Sequence, residues 1–316
     1  MINIKHVYQE ISHITATENI MLDELLKNHT YTRLGGKADI LVTPETFSEV
    51  QELVKLSRRE NIPFTLLGNG SNMIVKDGGI RGIVMSQKRF QDIRVESDTI
   101  FAQSGAAIIE VSRRALNERL SGLEFACGIP GTVGGALFMN AGAYGGEIKD
   151  VLEEAVVVDR EGALLTLAAK ELDLEYRTSN IPDNGYIVLE AKFKLQPGDY
   201  QNIKAVMDDL THKRESKQPL EYPSCGSVFK RPPGYFAGKL IQDSELQGKG
   251  VGGAEVSTKH AGFIVNKNNA TATEYISVIE LVQKTVKDKF GVFLEREVKI
   301  IGEDADAETV KAVKQN

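Results

Sequence analysis

The chain has 316 residues, 41% of them apolar and 26% charged, so it is long enough for two domains with real cores. A net charge of −6 disfavours nucleic acid as the main partner, and two cysteines, Cys127 and Cys225, argue against a disulfide scaffold or a Cys-rich metal site. No apolar run approaches the ~18 residues of a membrane span. The first twenty residues lack a basic start followed by an apolar stretch, so they read as no signal peptide and the chain as cytoplasmic.

In chain order, residues 1–29 read as a polar helical arm. TPETFSEVQELVKLSRREN is a helix with Pro44 in its first turn and Phe47, Val50 and Val54 on one face. FTLLG (64–68) is a short buried strand, IRVESDTIFAQSGA two strands around Ser97-Asp98, and AIIEVSRRALNERL a second amphipathic helix. EAVVVDREGALLTLA is a hairpin turning at Glu161-Gly162. GYIVLEAKFKLQPGD alternates as a strand up to Pro197-Gly198, which reads as a domain boundary. Beyond it comes the helix of DYQNIKAVMDDLTHKRESKQ. A further helix is capped by Thr271 and Glu274 and runs to about Phe290, GVFLEREVKII closes as a strand, and 303–316 is a charged tail.

The glycines cluster. LGNGSN (67–72) follows a strand, QSGAA (103–107) precedes a helix, and CGIPGTVGGALFMNAGAYGGE (127–147) holds seven glycines. Glycine lets backbone N–H groups approach a ligand and form the positive-φ nests that bind anions, and a helix start adds further donors. Three such loops beside strand ends or helix starts point to a ligand containing pyrophosphate. GKGVGG (248–253) formally matches G-x-G-x-x-G, but no strand precedes it and no helix follows, so it is no dinucleotide fingerprint.

Between His212 and Lys267, nine Lys/Arg face five Asp/Glu, a basic excess suited to a small anionic ligand or to a solvated basic face. Inside this stretch lies YPSCGSVFKRP (222–232), which reads as neither regular helix nor strand. Ser227 there is a proton donor or a turn hydroxyl. Cys225, with His212 or His260 as base, is a possible nucleophile, although no cysteine-hydrolase signature surrounds it.

RLGGKAD, LGNGSN, GIPGTVGGALFMNAGAYGGE, EYRTSN, SCGSVFKRP, KHAGFIVN and LEREVKIIG occur in the order found in UDP-N-acetylenolpyruvoylglucosamine reductases, which the chain resembles over about 31–302. That resemblance implies an α+β fold in two parts. An FAD-binding domain of the vanillyl-alcohol-oxidase (PCMH) type would cover 1–197, including a helical arm over 1–30, and a smaller α/β substrate-binding domain would cover 198–316. It also implies non-covalent FAD, NADPH as reductant and a UDP-sugar substrate in peptidoglycan precursor synthesis. No metal, nucleic acid or membrane insertion is implied; a monomer is the expectation, with an oligomer left open. The compact second part looks like the shorter class that lacks the tyrosine-bearing loop.

The implied reaction places hydride on the terminal methylene of an enol ether, leaving charge that spreads into the adjacent carboxylate as an enediolate. Such a site needs preorganised positive or hydrogen-bonding groups and a proton donor. By resemblance, Arg177 and Glu297 stabilise the enediolate and Ser227 gives the proton. Glu297 can help only if it is protonated or neutralised by a neighbour. On spacing alone nothing unites the three, and without the resemblance they read instead as a surface ion-pair residue, an exposed carboxylate and a turn hydroxyl. Lys230, Lys239, His260 and Asn266 carry over as substrate-side groups. Many family members have asparagine where this chain has Arg231. For FAD the expected residues are Gly68, Asn69, Gly70, Ser71, Asn72, Ser104, Gly105, Gly128, Ile129, Pro130, Gly131, Thr132, Gly134, Asn140, Ala141 and Gly142.

Two other readings stay open. A flavin oxidase of the same superfold would attach flavin covalently, with Cys127 the candidate anchor. A non-enzymatic nucleotide-sugar module would explain the glycine loops but not EYRTSN or LEREV.

Overall fold

A computed structural model describes residues 3–315, which form two compact units interleaved in sequence. The first takes the chain up to Leu22, then Ile40–Asn69 and Gly82–Arg214; the second takes Asp23–Asp39, Gly70–Arg81 and the chain from Glu215 onward. The final change of unit falls inside the helix Tyr200–Lys217, whose Ile203, Met207 and Leu210 are buried. The segment before that helix, Gln196–Pro197, pairs with Leu120–Ser121.

In the first unit a five-stranded antiparallel sheet runs in the order Leu164–Ala168, Leu152–Val158, Ile187–Lys194, Thr99–Gln103, Ile93–Glu96. The β-branched run Val156-Val157-Val158 suits its pleated surface. The expected turns appear where left-handed backbone is required, with Ser97 at φ 57 and Gly162 at φ 81. The helices Ile108–Asn117 and Val133–Phe138 contribute Val111, Ala115, Val133 and Leu137 to a core with Ile100, Ala191 and Phe193. Burying each of the valine, leucine, isoleucine and phenylalanine side chains contributes roughly 1.5–3 kcal/mol before conformational entropy is set against it. A second core in this unit joins Val50, Leu53 and Val54 of the helix Phe47–Arg59 to Ile40, Ile83, Met85 and Leu189.

The second unit has a four-stranded antiparallel sheet in the order Ser224–Ser227, Phe263–Asn266, Ala254–Val256, Gly250–Val251. The helix Ala272–Phe290 supplies Tyr275, Ile279 and Val282 to the core against Ile264 and Leu240. Its start is secured twice: by the Thr271–Glu274 capping box, and by the buried Asp77, whose carboxylate accepts from the Ala272 and Thr273 N–H groups at 2.8 Å. Gly291, at φ 71, ends it. Met73–Val75 and Lys299–Ile301 pair in parallel.

Several elements differ from the sequence expectation. The N-terminal arm is α-helical over Ile4–Ser12, with single 3-10 turns at Thr17–Asn19 and Leu26–Asn28, because Ile20–Leu25 forms a strand instead. Pro44 precedes the helix that Thr46 caps through the Glu49 N–H. Of the strand Phe64–Leu67 only Leu67 is fully buried. The closing strand shrinks to Lys299–Ile301, preceded by a single bridge between Phe229 and Arg296. YPSCGSVFKRP does carry a strand, Ser224–Ser227. GKGVGG forms a hairpin turning at Gly252, φ 56. Among the described residues no helix is long and apolar enough to cross a membrane.

Candidate active site

In the first unit the glycine loops meet at the start of the helix Val133–Phe138. Asn69 donates from Nδ2 to the Pro130 carbonyl at 2.9 Å, and Gly134 donates its N–H to Ser104 O at 2.9 Å. A Cβ on Gly68 would lie 3.2 Å from Thr132 Oγ1, and one on Gly134 would lie 3.1 Å from Ser104 Cβ. The loops after two separate strands thus converge on 130–134, with Thr132 capping the helix through the Gly135 N–H. Gly105 is pressed against the Gln87 carbonyl, where a Cβ would come within 2.0 Å. Ser104 Oγ is buried with no hydrogen-bond partner. Gly70, Ser71 and Asn72 belong to the second unit, where Gly70, at φ 60, passes closely over Thr30.

Beyond that helix the side chains are already engaged. Asn140 is buried and hydrogen-bonds Glu147, Glu175 and Lys149, while Ala141 uses its N–H on Ala136 O and its carbonyl on Ile148. Gly142 pairs with Glu147 in a two-residue strand. These bonds tie all three residues to their own unit. Cys127 packs toward the helix Tyr200–Lys217, with Sγ 3.7 Å from both Met207 O and Thr211 Oγ1.

Arg177 occupies a tight turn closed by reciprocal bonds between Glu175 and Thr178, at 3.1 and 3.2 Å. Its φ of 58 is left-handed, a conformation arginine adopts only where its surroundings over-determine it. Its guanidinium lies 5.7 Å from the Tyr176 ring centre.

In the second unit a bulge decides which side chain of SCGS is available. Ser224 opposes Val265 and Ser227 opposes Phe263, so three steps on one strand match two on the other, with Gly226 at φ 72. In an unbroken strand residues 225 and 227 would share a face. The inserted residue breaks that alternation and leaves Cys225 buried and Ser227 exposed. Cys225 contacts the Tyr275 hydroxyl at 3.2 Å, and burial pushes its thiol up to about 11, with the Glu297 charge adding to the effect. A neutral buried thiol is no nucleophile.

Gly262 lies beside both Ser227 and His260: a Cβ there would be 3.8 Å from Ser227 Oγ and 3.1 Å from His260 Cε1. The Gly262 N–H donates to His260 Nδ1 at 3.1 Å, which places the proton of the neutral ring on Nε2. Burial lowers the pKa of this imidazole. Glu297 donates its backbone N–H to Val228 O at 2.9 Å, next to Ser227 along the strand. Lys230 pairs with Glu295 at 2.6 Å and Lys239 with Asp243. Arg231 stacks on Phe236, its guanidinium 4.0 Å from the ring centre. Asn266 is buried, donating to Thr32 O and accepting from the Ala270 N–H, so it braces its own unit.

A family model for the FAD binding domain matches residues 38–168, and one for the C-terminal domain of UDP-N-acetylenolpyruvoylglucosamine reductase matches 218–301. The UDP-N-acetylenolpyruvoylglucosamine reductase of Oceanobacillus iheyensis is 72% identical over 299 residues, covering 95% of this chain and 97% of that protein. The chain belongs to this reductase family. The Geobacillus thermodenitrificans reductase is 65% identical over 300 residues, covering 95% of this chain and 99% of that protein. The crystal structure of the Thermus caldophilus reductase superposes with a TM-score of 0.77 at 34% identity, covering 90% of this chain and 98% of that one. The fold is therefore an FAD-binding domain of the PCMH type joined to the reductase C-terminal domain, and the enzyme is an FAD-dependent oxidoreductase acting on UDP-N-acetylenolpyruvoylglucosamine.

The convergence of glycines suits the reductase to FAD. Gly68 and Gly135 are exposed, and the nearest neighbour a Cβ would meet at either is Thr132 Oγ1, so the backbone there stays open to a diphosphate. Sequence reasoning passed over Gly262, Ser179 and the tethering use of Asn140. The glycine in KHAGF was the one available signal, and its meaning depends on strand pairing.

Proposed function

We propose that Ser227 is the proton donor of this reductase, with Arg177 and Glu297 stabilising the enediolate formed on the substrate. The bulge at Gly226 carries this reading: it is the feature that makes Ser227, and not Cys225, the accessible group in the motif. When bound and reduced by NADPH, FAD would supply the hydride for the terminal methylene of the enolpyruvyl group. Gly68, Asn69, Gly70, Ser71, Asn72, Ser104, Gly105 and the 128–134 segment are the residues that would hold the cofactor.

Arg177 suits the substrate carboxylate because a planar guanidinium binds it bidentately and stays charged. Its left-handed turn fixes where that fork begins. Ser227 is a weak acid, but the carbon it protonates is strongly basic, so a placed hydroxyl suffices. The imidazole of His260, held neutral by burial, carries its proton on Nε2, and its Cε1 edge and Ser227 Oγ both lie beside Gly262. It is suited to donate to the substrate or to orient the hydroxyl. Lys230 and Lys239 already have carboxylate partners and would exchange them for the UDP diphosphate.

By this reading the first unit binds chiefly the cofactor and the chain from Glu215 onward the sugar nucleotide, and the enzyme works in the cytoplasm as a monomer. The test is the visible spectrum under anaerobic conditions. Bleaching of the flavin band by NADPH, with recovery only on adding the enolpyruvyl sugar nucleotide, supports the reading. Recovery unaffected by Ser227→Ala would overturn the proton-donor assignment.

A further inference from the structure

Asn140 follows the helix Val133–Phe138 with φ 43 and 1% exposure. Its amide is fully used: Nδ2 donates to Glu147 Oε2 at 2.8 Å and to the Glu175 carbonyl at 3.1 Å, while Oδ1 accepts the Lys149 N–H at 2.9 Å. Glu175 is the first residue of the turn that holds Arg177. On the other flank of that turn, Ser179 Oγ donates to the Phe138 carbonyl at 2.6 Å. Both ends of the turn are thereby fastened to the last residues of one short helix.

We propose that Asn140 is a positioning residue for Arg177, acting through the Glu175 carbonyl, and that its side chain does not contact the cofactor. A left-handed arginine relaxes when its flanks are released, so loss of the tether lets the guanidinium leave the position where it meets the substrate carboxylate. The helix whose start lies in the glycine cradle thus also fixes the anchor of the catalytic turn. This inference rests on the reading of Arg177 as an enediolate-stabilising group.

Asn140→Asp tests it when combined with Glu147→Gln, which keeps the new carboxylate from facing Glu147 Oε2, because aspartate keeps the size, the tolerance of positive φ and the acceptor for Lys149, and removes the N–H donors. Asn140→Gly, which also tolerates positive φ, serves as a second variant should the first fail to fold. The two half-reactions are followed by stopped flow: flavin bleaching by NADPH, then reoxidation by the enolpyruvyl sugar nucleotide. The expected result is unchanged FAD content and bleaching, with reoxidation slowed roughly 10- to 100-fold, the size of leaving the buried Glu175 carbonyl without this donor. In an Arg177→Ala background the same substitution should cost nothing further.

An additive loss in that background would overturn the positioning role while leaving Arg177 catalytic. Parallel loss of FAD content or bleaching would make Asn140 a cofactor contact instead, and unchanged reoxidation would also overturn the inference. Wild-type reoxidation by Arg177→Ala alone would remove the reading beneath it, an outcome distinct from additivity.

Discussion

The side-chain amide of Asn69 meets the carbonyl of Pro130 at 2.9 Å and clasps the loop after one strand to the glycine segment before a helix. Asn69→Ala should leave the fold intact and weaken FAD binding up to about tenfold, the worth of one hydrogen bond. Titration of apoprotein with FAD, followed by flavin fluorescence, measures it; unchanged affinity would show that the clasp is not part of the cradle.

Two glycines of the cradle should respond differently to alanine. At Gly105 a Cβ would lie 2.0 Å from the Gln87 carbonyl, which is backbone, whereas at Gly128 it would lie 2.6 Å from Arg214 Cδ, part of a flexible side chain. Gly105→Ala is expected to cost about 1–3 kcal/mol or more, and Gly128→Ala well under half of that. Urea midpoints of the two variants check the order.

Ser227→Ala is expected to leave bleaching by NADPH within about twofold and to slow reoxidation by the enolpyruvyl substrate ~10²–10⁴-fold, the usual worth of a positioned acid. Cys225→Ser, by contrast, should retain turnover, since Cys225 is buried against Tyr275.

The Cys225 thiol also predicts a pH effect. Its folded value of about 11 lies above the ordinary 9.0, so the folded chain keeps the proton that the unfolded chain loses. The stabilisation is present below about pH 9 and lost as pH rises through 11. Iodoacetamide at pH 8 should therefore label Cys225 only after denaturation, with the partly exposed Cys127 as internal comparison.

His260 works in the opposite direction. Burial favours its neutral ring, so below about pH 6.5 the unfolded chain takes up a proton that the folded chain resists. Stability is present above pH 6.5 and declines as pH falls through the lowered folded value. His260→Gln should flatten that decline in urea midpoints between pH 7 and 5; an unchanged slope would assign it to other groups.

Local pattern was enough for much of this protein. Alternation located the strands from Ile93 to Lys194, the Thr271–Glu274 box located its helix, and the order of the glycine and SCGSVFK motifs pointed to the family before any coordinates. These signals survive because each depends on neighbours within a few residues. Tertiary structure decided what pairs at long range. The strand nature of Ser224–Ser227, and with it the opposite fates of Cys225 and Ser227, exists only once Val265 and Phe263 supply the partner strand and force the bulge at Gly226. The hydrogen bonds of Asn266 and Asn140 have the same cause: an amide's partners depend on which carbonyls the fold brings to it, at Thr32 for one and Glu175 for the other, and that is not written in the residues beside it.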